Sequence, residues 1–246
     1  MRSAFELAKL ELKLFFREPI TMIFTFGLPL IFLPVMGSVF GNAPNPHIYR
    51  GVGAMNYYTP AYISLVLASI GLIQLPVHLA NYKERGVLRR FRASSISGTT
   101  IFGSQTIVSL VVAVVGAIGV MTIGFTAYNV QAPHDWLGVI LMFLLGLGCF
   151  VAIGVLLGAL LPNSRATQGA GLILYIVMML LGGAGPPREV LSKPLQITGD
   201  ITPLRHVITM IQDPWLGLGY NLNEMLIVSG FIVVATILSI RLFRWE

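Results

Sequence analysis

The sequence predicts an all-α membrane protein with six spanning helices, and three observations carry that prediction. Only 11% of its 246 residues are charged while 55% are hydrophobic, whereas an ordinary soluble domain carries about 25% charged residues. Mean hydropathy is +0.81. Six uncharged runs, Pro19–Tyr49, Gly51–Tyr82, Ala93–His134, Trp136–Ser164, Ala166–Pro187 and Met225–Ile240, supply the roughly 20 apolar residues that a spanning helix needs. The last run is the shortest and is completed by snorkelling of Arg241 and Arg244.

Residues 1–18 place Arg2, Glu6, Lys9, Lys13 and Arg17 on one helical stripe, with Phe5, Ala8, Leu12, Phe15 and Phe16 turned away. That pattern suits an amphipathic helix lying in the membrane interface. Glu11 and Glu18 fall off the stripe, and the segment also reads as a charged leader ahead of the first span. It does not read as a secretory signal, because it is charged and the apolar run after it has full spanning length. The first span, residues 20–40, contains Pro29 and Pro34, each of which frees a backbone carbonyl that neighbouring helices must satisfy. A Gly-, Asn- and Pro-rich loop follows. The second span, 57–80, has Pro60 near its start and Pro76 near its end, and the third, 100–126, is rich in Gly and β-branched residues.

Asn129–Asp135 is short enough to make the third and fourth spans a tight hairpin. The fourth span, 137–161, carries Gly154 and Gly158, a GxxxG spacing that lets backbones approach closely, within one subunit or between two. Pro162–Gln168 is a turn before the fifth span, 169–182. Residues 183–224 hold Pro186, Pro187, Pro194, Pro203 and Pro214 among apolar pieces too short to cross a bilayer. Such pieces are re-entrant and covered by protein, or lie at the surface, with Trp215 and Tyr220 placed as interfacial aromatics. The sixth span is 225–242.

Lysine and arginine set the orientation. With both termini inside, Arg2, Lys9, Lys13, Arg17, Lys83, Arg85, Arg89, Arg90, Arg92, Arg165, Arg241 and Arg244 lie inside, and Arg50, Arg188, Lys193 and Arg205 lie outside. This is a strong positive-inside bias. It makes the basic island Asn81–Gly98 cytoplasmic and the chain a multi-pass protein of the plasma membrane. The net charge of +6 follows from that topology and does not call for nucleic acid.

The absent motifs narrow the function. There is no GxxxxGK[ST] phosphate loop, no HExxH, and no Cys/His cluster with zinc spacing. Cys149 is the single cysteine, so no intrachain disulfide forms. The expected spans contain no Asp, Glu, Lys or Arg. His78, near the inner end of the second span, is their one titratable candidate. Lacking a partner carboxylate, it reads as a packing or interfacial residue, not a proton relay. Arg188–Glu224, the longest non-spanning stretch, is below the roughly 50 residues of a soluble domain. The reading is therefore a non-enzyme with no catalytic residues, no metal site and no cofactor of its own. Uphill transport would draw its energy from another polypeptide.

As a helix, the basic island has Arg85, Arg89 and Arg92 on one face and Val87, Leu88 and Phe91 on another. It fits a determinant of orientation touching anionic lipid, or a knob for a groove on a soluble partner. FFREP (Phe15–Pro19), KERGVLRRFRASSISG (Lys83–Gly98) and DITPLRHVI (Asp200–Ile208) occur in that order around the six runs. Together they resemble the membrane subunit of ABC type-2 exporters, which include the bacterial daunorubicin-type drug-efflux permeases. Glu84, Arg85, Gly86, Leu88, Arg89 and Arg90 carry the most specific part, E-[RK]-G-x-L-[RK]-R.

The resemblance implies a type V ABC exporter-like fold in one transmembrane domain, residues 1–246. Residues 81–98 would be a cytoplasmic coupling helix in which Glu84, Arg85, Gly86, Leu88, Arg89, Arg90 and Phe91 dock on a separate ATPase subunit. Residues 183–224 would be re-entrant helices capping an outer gate, carried over to Pro187, Glu189, Pro203 and Leu204. Here PPREVLSKP (Pro186–Pro194) lacks the family's aromatics. Two ATPase copies, holding ATP and Mg, would join this chain and a second permease chain, identical or homologous. The function implied is export of a hydrophobic or amphiphilic drug-like molecule from a bacterial cell. The expected path residues are Tyr62, Ser64, Ser69, Gln74, Tyr175, Met178 and Met179, apolar with scattered hydrogen-bonding groups. Export of a lipid or lipid-linked glycan is the alternative. An ion-coupled transporter or channel is disfavoured by the uncharged spans.

Overall fold

Proline and glycine decide how the central helix of this protein is built. The computed structural model describes residues 2–87 and 98–242, and its named elements are all helical. In chain order they are α1 (Arg2–Phe15), α2 (Pro19–Met22), a π turn at Ile23–Gly27, α3 (Leu28–Phe40) and α4 (Ala54–Ser69). A second π turn at Ile70–Gln74 leads to α5 (Leu75–Glu84), followed by α6 (Gly98–Tyr128), α7 (Trp136–Leu160) and α8 (Ser164–Gly182). Last come α9 (Lys193–Asp200), α10 (Pro203–Leu216) and α11 (Leu222–Leu242). Among the described residues six helices are long and apolar enough to cross a membrane: Ile23–Phe40, Ala54–Glu84, Thr100–Tyr128, Trp136–Leu160, Ser164–Gly182 and Leu222–Leu242.

The number of spans is as expected, but their ends move. The fifth begins at Ser164, ahead of the expected 169, because Asn163 caps it by accepting from the Ala166 amide at 2.8 Å. The fourth begins at Trp136, capped by Asp135 through the Gly138 amide at 3.0 Å. The second runs from Ala54 through Glu84, so the start of the basic island is its last turn.

That second span is the pillar of the fold. Its most apolar stretch is 94% buried, against 44% or less in every other span. The first, third, fourth and fifth spans and α10 all pack on it. Pro76 explains its π turn. A proline ring clashes with the carbonyl four residues back and has no N–H to donate, so the helix widens ahead of it, and the Leu75 amide bonds Ile70 O, five residues back. The carbonyls of Gly71 and Leu72 sit five and four residues before Pro76. Each meets a glycine face: Gly71 O lies 2.8 Å from where a Cβ on Gly154 would stand, and Leu72 O would overlap a Cβ on Gly171. The Gly154/Gly158 pair therefore serves packing within the subunit, since Gly158 likewise faces Leu79 and the Pro76 carbonyl. The first span repeats the device, with a π turn at Ile23–Gly27 just ahead of Pro29.

Helix α1 packs along α6 and has a protein-facing side of Ala8, Glu11 and Phe15, which are 1%, 2% and 5% exposed. Lys9 and Glu6 pair at 3.1 Å on the polar side, and Phe5 and Phe16 remain exposed. The amphipathic pattern of this segment is present, with part of its apolar side turned to protein. Glu11 falls off the polar stripe because it points into the protein beside Ala8 and Phe15.

Between the fifth and sixth spans, the proline-rich segment forms the short helices α9 and α10. Pro194 and Pro203 stand in the first turns of these helices, where a missing N–H leaves nothing unsatisfied. Leu204, Val207, Ile208 and Ile211 bury one face of α10, which packs against α4 and α7. Trp215 corrects its expected interfacial place: it is 2% exposed and stacks on Phe125 at 6.3 Å. Tyr220 is exposed and donates its hydroxyl to Asp135.

Candidate functional site

The basic end of the bundle is built around the last turn of the second span. Lys83 Nζ donates to Ala159 O at 3.2 Å and Leu161 O at 3.3 Å, the carbonyls that close the fourth span. Ser164 Oγ, in the first turn of the fifth span, donates to Glu84 Oε2 at 2.7 Å. The two residues thus tie the foot of the second span to the turn joining the fourth and fifth. Arg85 ends α5, and Gly86 follows with φ +62, the left-handed position that favours glycine just past a helix end. Of the residues assigned to the coupling interface, Glu84, Arg85 and Gly86 are placed here. Leu88, Arg89, Arg90 and Phe91 lie outside the described residues, as does Arg92.

Beside this foot lies a polar cluster absent from the sequence reading. Glu11 Oε1 accepts from Tyr82 Oη at 2.9 Å and from Ser104 Oγ at 3.4 Å. His78 Nε2 stands 3.9 Å from the same oxygen, and the His78 ring is tilted over Tyr82 at 4.4 Å. His78 therefore does have a neighbouring carboxylate, contributed by α1. The expectation to the contrary fails because Glu11 lies 67 positions away in sequence and outside every uncharged run. Burial pushes the Glu11 carboxyl up to about 7, against the pull of the Tyr82, Ser104 and Gln105 side chains.

The path candidates converge on the pillar. Tyr62, Ser64 and Ser69 lie on α4 and Gln74 in the π turn, while Tyr175, Met178 and Met179 lie on α8. Six of the seven are buried, and Met178 is partly buried against the core. Ser64 and Ser69 return their hydroxyls to carbonyls of their own helix, Pro60 O at 2.9 Å and Val66 O at 2.7 Å. The Tyr62 and Tyr175 hydroxyls, with Gln74 Oε1, have no hydrogen-bond partner among the described residues. Such buried unpaired groups each cost about 1–3 kcal/mol. Tyr62 stacks on Tyr58 at 5.6 Å, and Tyr58, Tyr57 and Tyr49 continue the aromatic cluster at 5.3–5.8 Å.

At the far end the four gate candidates lie in two places along the chain. Pro187 is buried before the short turn Arg188–Val190, Glu189 is exposed, and Pro203 and Leu204 open α10 in the core. The stronger feature there is a chain of alternating charge. Asp200 takes both Arg188 Nη1 at 2.5 Å and Arg188 Nη2 at 2.8 Å, and Arg205 Nε stands 2.9 Å from it. Arg205 Nη1 reaches Glu224 Oε1 at 2.5 Å, and His206 Nδ1 lies 2.5 Å from Glu224 Oε2. His206 Nε2 lies 2.7 Å from Asp200 O, closing the chain. Burial works against the charge of Asp200, but the hydrogen bond from Arg188 and the charges of Arg188, Arg205 and His206 outweigh it and hold its carboxyl below the usual range.

A second far-end pair joins Arg50 Nη2 to Asp213 at 2.5 Å, beside Gln212, whose Nε2 bonds Tyr57 O at 3.0 Å. Three of the four basic residues that charge counting places at this end, Arg50, Arg188 and Arg205, are thus paired with carboxylates. Their pairing was not legible from sequence, where the partners lie 5 to 163 positions away. Among the described residues no group of three or more His, Cys, Asp or Glu is placed to hold a metal ion.

Two comparisons bear on these features. A family described as ABC-2 type transporter matches residues 3–214. A protein of Bacillus subtilis (strain 168) bearing the name "Putative transport permease YvfS" is 21% identical over 231 residues, 93% of this chain and 92% of that protein.

Proposed function

The chain belongs to the ABC-2 type transporter family and is a multi-pass permease subunit of it, and we propose that it exports a hydrophobic or amphiphilic small molecule, driven by a separate ATPase. In this reading two ATPase copies bind ATP and Mg, and a second permease chain, identical or homologous, completes the pathway. Both termini and the basic island face the cytoplasm of a bacterial cell. The island, Asn81–Gly98, is the coupling segment, docking through Glu84, Arg85, Gly86, Leu88, Arg89, Arg90 and Phe91, and α9 and α10 form the re-entrant cap of the outer gate.

One observation carries the proposal: the foot of the second span is bonded to the turn between the fourth and fifth through Lys83 and Glu84. A push on the residues just beyond Glu84 is delivered to three spans together. The buried Tyr62 and Tyr175 hydroxyls support a path that is closed in this arrangement and meets a ligand with hydrogen-bonding groups when the spans part. The apolar surroundings of these residues favour an amphiphile over a free glycan.

The test is to co-express the chain with the ABC ATPases of its own cell, purify any complex, and reconstitute it in liposomes with a fluorescent amphiphile. ATP-dependent movement of the dye is expected. Glu84→Ala with Arg85→Ala should abolish it while the two subunits still co-purify. Unchanged transport in that variant would overturn the coupling role, and failure of any ATPase to co-purify would overturn the export reading.

A further inference from the structure

We propose that Glu11, His78 and Gln105 enclose one bound water and form a proton-binding site at the foot of the second span. The inference rests on three buried atoms with no direct hydrogen bond among the described residues: Glu11 Oε2, His78 Nε2 and Gln105 Nε2. They come from α1, α5 and α6. The carboxylate oxygen and the imidazole nitrogen are acceptors, with the His78 proton on Nδ1, and the amide nitrogen is a donor. Two acceptors and one donor match what a single water offers, two hydrogens and a lone pair. Buried waters make about three such bonds to groups that would otherwise be unsatisfied.

The spacing agrees. His78 Nε2 stands 3.9 Å from Glu11 Oε1, too long for a hydrogen bond, so the imidazole lies beside this carboxylate with its nitrogen left for a bridging water. Gln105 turns its amide toward the Glu11 carboxylate closely enough to stabilise its charge, although Nε2 completes no direct bond. The other carboxylate oxygen is occupied by Tyr82 and Ser104, so only Oε2 faces the water.

The charge balance selects a proton as the second ligand. Among the described residues the second span brings His78 and Tyr82 to Glu11, and the third brings the uncharged Ser104 and Gln105. No Lys or Arg among them forms an ion pair with Glu11, and Lys9 on the same helix pairs with Glu6. A carboxylate only 2% exposed without a cation favours its neutral form. One proton taken from bulk water neutralises Glu11. The new Oε2–H donates to the bound water, which then gives one hydrogen to His78 Nε2. The elevated titration of Glu11, about 7, places this exchange near neutral pH. The site does not depend on what the permease carries.

The experiment is an infrared pH titration of the full chain in liposomes, with glutamate carboxyls labelled with carbon-13. A protonated-carboxyl band that disappears near neutral pH in the wild type, and is missing in Glu11→Gln, is the expected result. Tyr82→Phe removes a donor to the carboxylate, and Ser104→Ala is a milder variant of the same kind. Each should raise the midpoint, Tyr82→Phe by roughly one pH unit. Gln105→Leu removes the donor to the water and should raise it too, by about half a unit. A Glu11 band that titrates with ordinary carboxyls overturns the proton site. A midpoint that Gln105→Leu leaves unmoved, while Tyr82→Phe shifts it, overturns the bound water.

Discussion

The carbonyl oxygen of Leu72 and the Cα of Gly171 pack so closely that no Cβ fits between them. That contact fixes the fifth span on the π turn of the second, where Pro76 denies the preceding carbonyls their usual donor. It predicts that Gly171→Ala destabilises the protein by about 3 kcal/mol, the upper part of the range for overpacking, because the obstacle is backbone. Gly169, two positions earlier on the same helix, has nothing within 4 Å of a Cβ, so Gly169→Ala should be nearly neutral. Thermal unfolding of the two variants in detergent checks the contrast.

The alternating charge chain predicts a second effect. Glu224 holds both Arg205 and His206, and its side chain is 10% exposed. Glu224→Ala leaves Arg205 with Asp200 alone, so the cost falls below the about 3–5 kcal/mol of a buried charge stripped of every partner. Glu224→Gln keeps an acceptor for Arg205 and should lose less. Denaturation midpoints, with proteolysis at α9 as a local probe, separate the two.

A third prediction concerns pH. Glu11 has its folded pKa raised from 4.5 to about 7, so between those values the folded state holds a proton that the unfolded chain has released. Stability contributed by this group is full below pH about 4.5 and is lost as pH rises through about 7. The loss amounts to about 3 kcal/mol at roughly 1.4 kcal/mol per unit. Glu11→Gln, which titrates in neither state, should remove this slope. Unfolding midpoints across that range in wild type and variant, compared by difference, measure it.

What the sequence makes legible follows from which forces act along it. Bilayer thickness acts on contiguous residues, so runs such as Trp136–Ser164 announce the spans directly. The GxxxG at Gly154 and Gly158 announced close packing but not its partner, which is the widened turn before Pro76. Capping by Asn163 decides where the fifth span starts, and an Asn directly after Pro162 reads equally well as part of a turn. Glu11, Asp200, Asp213 and Glu224 were opaque for a different reason. Their partners come from other helices, and the amphipathic reading of α1 had no term for a charged residue facing protein. Trp215 was assigned to an interface by composition, and the packing of α10 on α4 and α7 took it into the core.

The central claim is that force applied beyond Glu84 reaches the fourth and fifth spans through the foot of the second. The most direct measurement is the ratio of molecules transported to ATP hydrolysed by the reconstituted complex, in wild type and in Ser164→Ala. Ser164 Oγ bonds Glu84 at 2.7 Å. Losing a bond of about 1 kcal/mol from the moving state corresponds to roughly a fivefold change in rate. The account predicts that Ser164→Ala keeps hydrolysis within about twofold of wild type while the ratio falls about fivefold. A ratio equal to wild type, with hydrolysis equally unaffected, would contradict it.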